Sequence, residues 1–223
     1  MPHDPTGPRL LGDSRVSPTA LLDRDVIVGY PSKASQNRER DLSASVGATV
    51  GAGSILRSGT VIYEDVVIGD DVQTAHNVVI REGVRIGDGC VFGTNSVVRE
   101  GATLGKNVRL MESVLISEGA VFEDDVFVGP NVSFTAGRYM TGALQASGQM
   151  SQSEAEALEG TNWQGPSVVV GRRARIGAGS VILAGVKLGA ECVIAAGAIV
   201  STDVPPGAMV AGNPARILRR AAE

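Results

Sequence analysis

A six-residue period constrains this chain more than any other feature. From Ser45 to Phe134 the sequence divides without insertion into fifteen hexads: SVGATV, GAGSIL, RSGTVI, YEDVVI, GDDVQT, AHNVVI, REGVRI, GDGCVF, GTNSVV, REGATL, GKNVRL, MESVLI, SEGAVF, EDDVFV and GPNVSF. The sixth position is apolar in all but Thr74. The fourth is always Ala, Ser, Thr, Val or Cys, and the third is Gly, Asn or Asp in all but Ser113. Each column has a physical cause. Gly, Asn and Asp accept positive φ most readily, so the third column marks a tight turn every six residues. Positions four and six lie two apart and share one face of a short strand. A two-residue strand buries nothing alone. Stacked coils do, joined by backbone hydrogen bonds at about 4.8 Å spacing. Small residues at position four suit a narrow interior that larger ones would overpack. Three hexads per coil predict a triangular prism with position five facing outward.

The period resumes as GPSVVV, GRRARI, GAGSVI, LAGVKL, GAECVI and AAGAIV over 165–200, and an earlier pair, SPTALL and DRDVIV (17–28), begins the prism. The chain therefore divides into an N-terminal segment (1–44) with a first partial coil and a polar loop, coils over 45–134, a protruding loop (135–164), C-terminal coils (165–204) and a tail (205–223). Residues 29–44 read as an exposed loop. In the long loop, Ser151 followed by Glu154 forms a capping-box pattern opening a short helix through Ala155–Leu158 that stops at Gly160. A second short helix is expected in the tail. Composition agrees with an all-β chain: 29 of 223 residues are Gly, nearly twice the roughly 7% usual, and interior Gly costs a helix about 1 kcal/mol each. With 43% hydrophobic residues the chain is not of disordered type.

A net charge of −4 does not advertise nucleic acid. The start, Met1-Pro2-His3-Asp4-Pro5, lacks the basic and apolar parts of a signal peptide, and no apolar run approaches the roughly 20 residues of a membrane helix. A soluble cytoplasmic protein with no membrane or nucleic-acid partner is expected.

The hexad pattern resembles that of the hexapeptide-repeat acyltransferases, whose fold is a left-handed parallel β-helix. The handedness comes from the resemblance, against the general preference for right-handed crossovers. The tail, Pro205-Pro206-Gly207 with Val210-Ala211-Gly212-Asn213-Pro214-Ala215-Arg216, is similar to the stretch that closes the prism in acetyl-CoA-dependent members. The resemblance implies acetyl-CoA as co-substrate in a groove between two subunits near that end, with Gly185, Ala196, Gly197, Asn213 and Arg216 as contacts and no metal. Charge supports it: residues 165–223 hold seven basic and three acidic residues (+4), while 1–164 hold 13 and 21 (−8). A basic end suits a polyanion such as coenzyme A. Residues 123–135 (EDDVFVGPNVSFT) are similar to N-acetyltransferases acting on nucleotide-linked 3-amino sugars, and AHNVVIREG (75–83) to acyltransferases of sugar and natural-product pathways.

Sorted by face, one row of fifth positions reads Val61, Val79, Val97, Leu115, Ser133. A monomer should not leave such a stripe in water, and a homotrimer is expected, as in the family. The corner leading into that face carries Ser58, His76, Thr94, Glu112 and Pro130, followed by Gly59, Asn77, Asn95, Ser113 and Asn131. His76, one of two His, thus falls at the rim of the presumed interface. It either fills a turn position or serves as the base that acyl transfer needs, with Asn77 and Asn95 positioning reactants.

At the next corner Glu64, Glu82, Glu100 and Glu118 recur beside Arg81 and Arg99. They read as a solvated ladder partly neutralised by Arg. Arg81 and Glu82 remain candidate substrate contacts, as do Arg138 and Tyr139 of the long loop. Cys90 and Cys192 occupy the inward fourth column and read as structural.

The expected reaction is acetyl transfer from acetyl-CoA to the amine of a nucleotide-linked amino sugar. O-acetyl transfer to a hydroxyl acceptor and a non-catalytic scaffold are the alternatives. The hexapeptide-type carbonic anhydrases need three metal-binding His, and this chain has two.

Overall fold

The computed structural model describes residues 7–33, 41–136, 148–151, 153–154 and 166–219. Their strands, mostly two residues long, stack into sheets of nine, eight and ten strands. These are the three faces of the prism. Face I runs from Arg9–Leu10 to Ile199–Val200, face II from Arg15–Val16 to Lys187–Leu188, and face III from Leu21–Leu22 to Arg216–Arg219. Pairing is parallel and in register, so Val61, Val79, Val97 and Leu115 stack directly along face I. The stacking carries across the long excursion without a slip, Ser133 pairing with Val181 and Val121 with Val169.

The columns behave as their chemistry dictates. Third-position Asn77 and Asn95 have φ of 58° and 61°, and Gly59 has 76°. At Gly59 a Cβ would lie 2.1 Å from Asn77 Oδ1, so a side chain there would displace the Asn77 amide. Positions four and six form one core, with Val78, Ile80, Val98 and Val108 at 0% exposure. Burying such a side chain contributes about 1.5–3 kcal/mol. Phe122 and Phe134 meet edge-on with centroids 5.1 Å apart. Cys90 and Cys192 are buried free thiols, and burial pushes both up to about 11. They are neutral at ordinary pH and structural, as expected.

Three expectations are corrected. The prism begins at Arg9 rather than at 17, because LGDSRV (11–16) is itself a hexad with Val16 inward. Its signature was obscured because Gly12, in the second position, takes the positive φ of 58°. The 29–44 segment is not exposed throughout: the strand Ile27–Tyr30 continues into it, and Gly29, Pro31 and Ser32 are buried.

The tail forms no helix over 205–219. Met209–Ala211 and Arg216–Arg219 pair antiparallel instead, because the last strand of face III otherwise leaves its backbone groups without partners. Val204 bridges to Leu188 on face II. On face I the Ile199 N–H donates to Gly212 O and the Ala215 N–H to Ile199 O. All three faces are thus closed at this end. The capping box forms, with the Ser151 N–H donating to Glu154 Oε2 at 2.8 Å and the Glu154 N–H to Ser151 Oγ at 3.3 Å. Ala155–Leu158 lie outside the described residues, as do Arg138 and Tyr139.

Candidate active site

His76 stands on the corner between faces III and I, between the strands Gln73–Thr74 and Val79–Ile80. Stacking of successive corners fixes its backbone: the Asn95 N–H donates to His76 O and the Asn77 N–H to Ser58 O, both at 3.0 Å. Asn77 Nδ2 donates to Asn95 Oδ1 at 3.3 Å. The side chains of His76, Asn77 and Asn95 are exposed. Among the described residues the imidazole has no hydrogen-bond or ion-pair partner. This corner therefore presents an imidazole and two amides to solvent on a backbone held by the stacking of successive corners.

The implied cofactor positions divide. Ala196 and Gly197 occupy the same two columns as His76 and Asn77, and Asn213 extends them where the chain turns back. Arg216 opens the closing strand beside Ala211. His76 and Ala196 are five coils apart, about 24 Å at the usual strand spacing. Gly185 is not on this edge. It sits at the corner between faces I and II, with φ of 80°.

That second corner also holds Arg81 and Glu82, at the far end of the strand that begins after His76. Arg81 Nε and Nη2 donate to both Glu82 oxygens, at 2.8 and 2.9 Å, and this bond raises Arg81 above its usual range. The guanidinium also lies 4.7 Å over the Tyr63 ring, which packs edge-on against Tyr30 at 5.2 Å. Arg99 pairs with Glu100 at 2.7 Å and Glu118 at 3.4 Å. Burial works to raise Glu100, but the Arg99 hydrogen bond, its own backbone N–H and the nearby Arg charges hold it below the usual carboxylate range.

Glu64 corrects the expectation of a uniformly solvated ladder. It is 4% exposed and accepts the Ser32 N–H at 2.7 Å and the Val46 N–H at 3.1 Å. It therefore ties together the two ends of the first excursion. The structure brings together His76, Asn77 and Asn95, and separately Arg81 and Glu82. Within one chain face I lies between the two groups. On that face Val61, Val79 and Val97 are half-buried and Leu115 is 39% exposed.

Sequence reasoning missed the coil beneath His76. Thr74, the exception in the apolar sixth column, is fully buried. Its hydroxyl accepts the Arg57 N–H at 3.0 Å and meets Thr60 Oγ1 at 3.0 Å. The break in the column was the available signal. A cleft of about 410 Å³ lies away from this corner, on face II near the C-terminal end, and includes Val169, Lys187, Leu188, Val204, Pro205 and Pro206 in its lining. Among the described residues no group of three or more His, Cys, Asp or Glu could hold a metal ion. No helix there is long and apolar enough to cross a membrane.

The chain matches the family of bacterial transferase hexapeptide (six repeats) over residues 65–100 and 167–202. It is 56% identical over 48 residues to the 2,3,4,5-tetrahydropyridine-2,6-dicarboxylate N-acetyltransferase of Staphylococcus aureus (strain JH9), a stretch covering 22% of this chain and 20% of that protein. The match thus spans about a fifth of the relative's length. Among solved structures, WeeI from Acinetobacter baumannii AYE superposes with a TM-score of 0.51 at 22% identity, covering 68% of this chain and 59% of that one. LpxA from Acinetobacter baumannii gives a TM-score of 0.50 at 19% identity, covering 94% and 73%. These two likenesses concern the fold. The two matched stretches, the repeat and the stacked coils agree on one fold, a parallel β-solenoid built from the hexapeptide repeats of bacterial transferases.

Proposed function

We propose that the protein is an acetyltransferase that moves an acetyl group from acetyl-CoA to the amine of a nucleotide-linked amino sugar, in clefts between the subunits of a homotrimer. The observation that carries this reading is His76, a solvent-facing imidazole without a side-chain partner among the described residues, on a rigid corner beside an apolar face. The N-acetyltransferase matched over 48 residues supports nitrogen as the acceptor atom. The basic C-terminal coils support a phosphorylated donor.

A three-fold axis parallel to the prism preserves height along it. Packing face I around such an axis brings His76 and Asn77 of one protomer to the level of Arg81 and Glu82 of its neighbour, since the four belong to one coil. In this reading the acceptor amine attacks the thioester carbonyl, a C–N bond forms and the C–S bond breaks. His76 takes the amine proton, and coenzyme A leaves as the thiolate and is then protonated. Asn77 and Asn95 hold the reactants, and Arg81 and Glu82 contact the acceptor, with Arg138 and Tyr139 as further candidates. Ala196, Gly197, Asn213 and Arg216 line the path for the coenzyme, while Gly185 reaches it only from a neighbouring subunit. The test is free-thiol release from acetyl-CoA over a panel of nucleotide amino sugars and their hydroxyl counterparts. Turnover with an amino sugar alone is expected. Turnover only with hydroxyl sugars would replace this reading with O-acetyl transfer.

A further inference from the structure

At the corner between faces III and I the first residue of each hexad donates its N–H to the carbonyl of the inward sixth residue in the next coil. Asp23 donates to Leu56, Ala75 to Phe92, Gly93 to Leu110, Met111 to Val128, Gly129 to Ile176, Gly177 to Ile194 and Ala195 to Val210. Arg57 breaks the series. Its N–H turns to the Thr74 hydroxyl at 3.0 Å, and its guanidinium Nη1 takes the Thr74 carbonyl at 2.9 Å. The strand pairing records the same break, with Ile55 paired to Gln73 and no pair between Leu56 and Thr74. Thr60 completes the network, its hydroxyl reaching Thr74 Oγ1 at 3.0 Å and the Ala75 carbonyl at 3.3 Å.

A buried hydroxyl in an otherwise apolar column stabilises less than the Val or Ile found elsewhere. What it gains here is the placement of one cation. Without the Thr74 hydroxyl, the Thr74 carbonyl would accept the Arg57 amide like every other carbonyl in the series. With it, that carbonyl becomes an anchor for the guanidinium, one coil below His76 on the same corner. A guanidinium has five N–H donors, and only the one to Thr74 is engaged among the described residues. Arg57 is half-buried and joins no ion pair there. Two acidic side chains of the coil below bond the neighbouring residue instead: Asp23 Oδ2 accepts the Ser58 N–H at 3.1 Å and Asp25 Oδ1 the Ser58 hydroxyl at 2.7 Å.

We infer that Arg57 is an anion-binding residue of the catalytic corner, holding a phosphate of a nucleotide diphosphate beside His76, and that Thr74 is the positioning residue that presets it. This rests on the acetyl-transfer reading for the identity of the ligands. The phosphate belongs either to the coenzyme or to the nucleotide-linked acceptor, and binding distinguishes them.

The experiment titrates coenzyme A and, separately, uridine diphosphate onto the wild-type protein, Arg57→Ala, Thr74→Val and the double variant, with thermal unfolding of each. Thr74→Val restores the apolar column and the ordinary backbone bond, so it is expected to melt no lower than wild type. Loss of a charge-assisted contact weakens binding about ten-fold or more. Arg57→Ala is expected to lose that much toward one of the two ligands. Thr74→Val should lose part of it, and the double variant no more than Arg57→Ala. A loss confined to coenzyme A assigns the phosphate to the donor, and a loss confined to uridine diphosphate assigns it to the acceptor. Wild-type binding that Arg57→Ala leaves within two-fold overturns the inference alone, as do additive losses in the double variant. A wild-type protein that binds neither ligand overturns the acetyl-transfer reading as well.

Discussion

The two corners flanking face I share one backbone plan and differ in what their side chains have left to give. On the edge between faces I and II, Arg81, Glu82, Arg99 and Glu100 are bound to one another and Glu64 is buried against two backbone amides. On the edge between faces III and I, His76, Asn77 and Asn95 stand exposed, and of their side chains only the two Asn amides meet, at 3.3 Å. Paired charges hold shape, whereas proton transfer needs a group that is free to change its state. The ladder therefore spends its charges within itself, while the sparser edge keeps its side chains uncommitted among the described residues.

The sharpest way to break this contrast is His76→Ala. Removing a general base typically costs about 10²–10⁴-fold in rate, and a fall of at least 100-fold in kcat is expected. Because the imidazole is exposed and has no partner among the described residues, stability should stay within about 0.5 kcal/mol. An equal loss in Glu82→Gln with none in His76→Ala would invert the comparison. Leu115→Asp places a charge in the apolar stripe and is expected to convert a trimer to monomers in sedimentation velocity. A wild-type protein that already sediments as a monomer removes the shared cleft.

Glu64→Ala tests the edge that carries the ladder. It removes the carboxylate that accepts the buried Ser32 N–H and the Val46 N–H, and losing a buried hydrogen bond of this kind costs about 1–3 kcal/mol, so a clear drop in melting temperature is expected, much larger than for Glu118→Ala. The two thiols give a pH-dependent effect with a definite sign. Their folded-state values of about 11 lie above the ordinary 9.0, so the unfolded chain ionises first. The stability they contribute is complete below about 9 and declines as pH rises toward 11. Cys90→Ala should flatten part of that decline in alkaline unfolding curves. The smallest effect expected is for Asn95→Ala, a several-fold rise in KM with kcat little changed.

The prism, its three faces and the position of His76 were legible because the strand period of two and the turn every six residues are written directly in residue type. Val61 to Leu115 stack as the arithmetic requires. Glu64 was not legible. It occupies the same column as Glu82 and Glu100, and only the chain folding back at Ser32 buries it. The antiparallel end at Arg216–Arg219 was hidden for a similar reason: it answers the open edge of a sheet, a demand of the assembled fold rather than of local sequence. Thr74 was visible as an exception, but its meaning lay in where the Arg57 amide and guanidinium went, which no column records. The separation of Arg81 and Glu82 from His76 was legible, because the period alone puts them at the next corner.

The most direct test of the contrast is a crystal structure with coenzyme A bound. The coenzyme thiol is expected beside His76 on the edge between faces III and I, with its phosphates toward the basic coils or Arg57. A thiol seated at the Arg81–Glu82 corner within one subunit, or in the face II cleft beside Lys187 and Pro205, would contradict it.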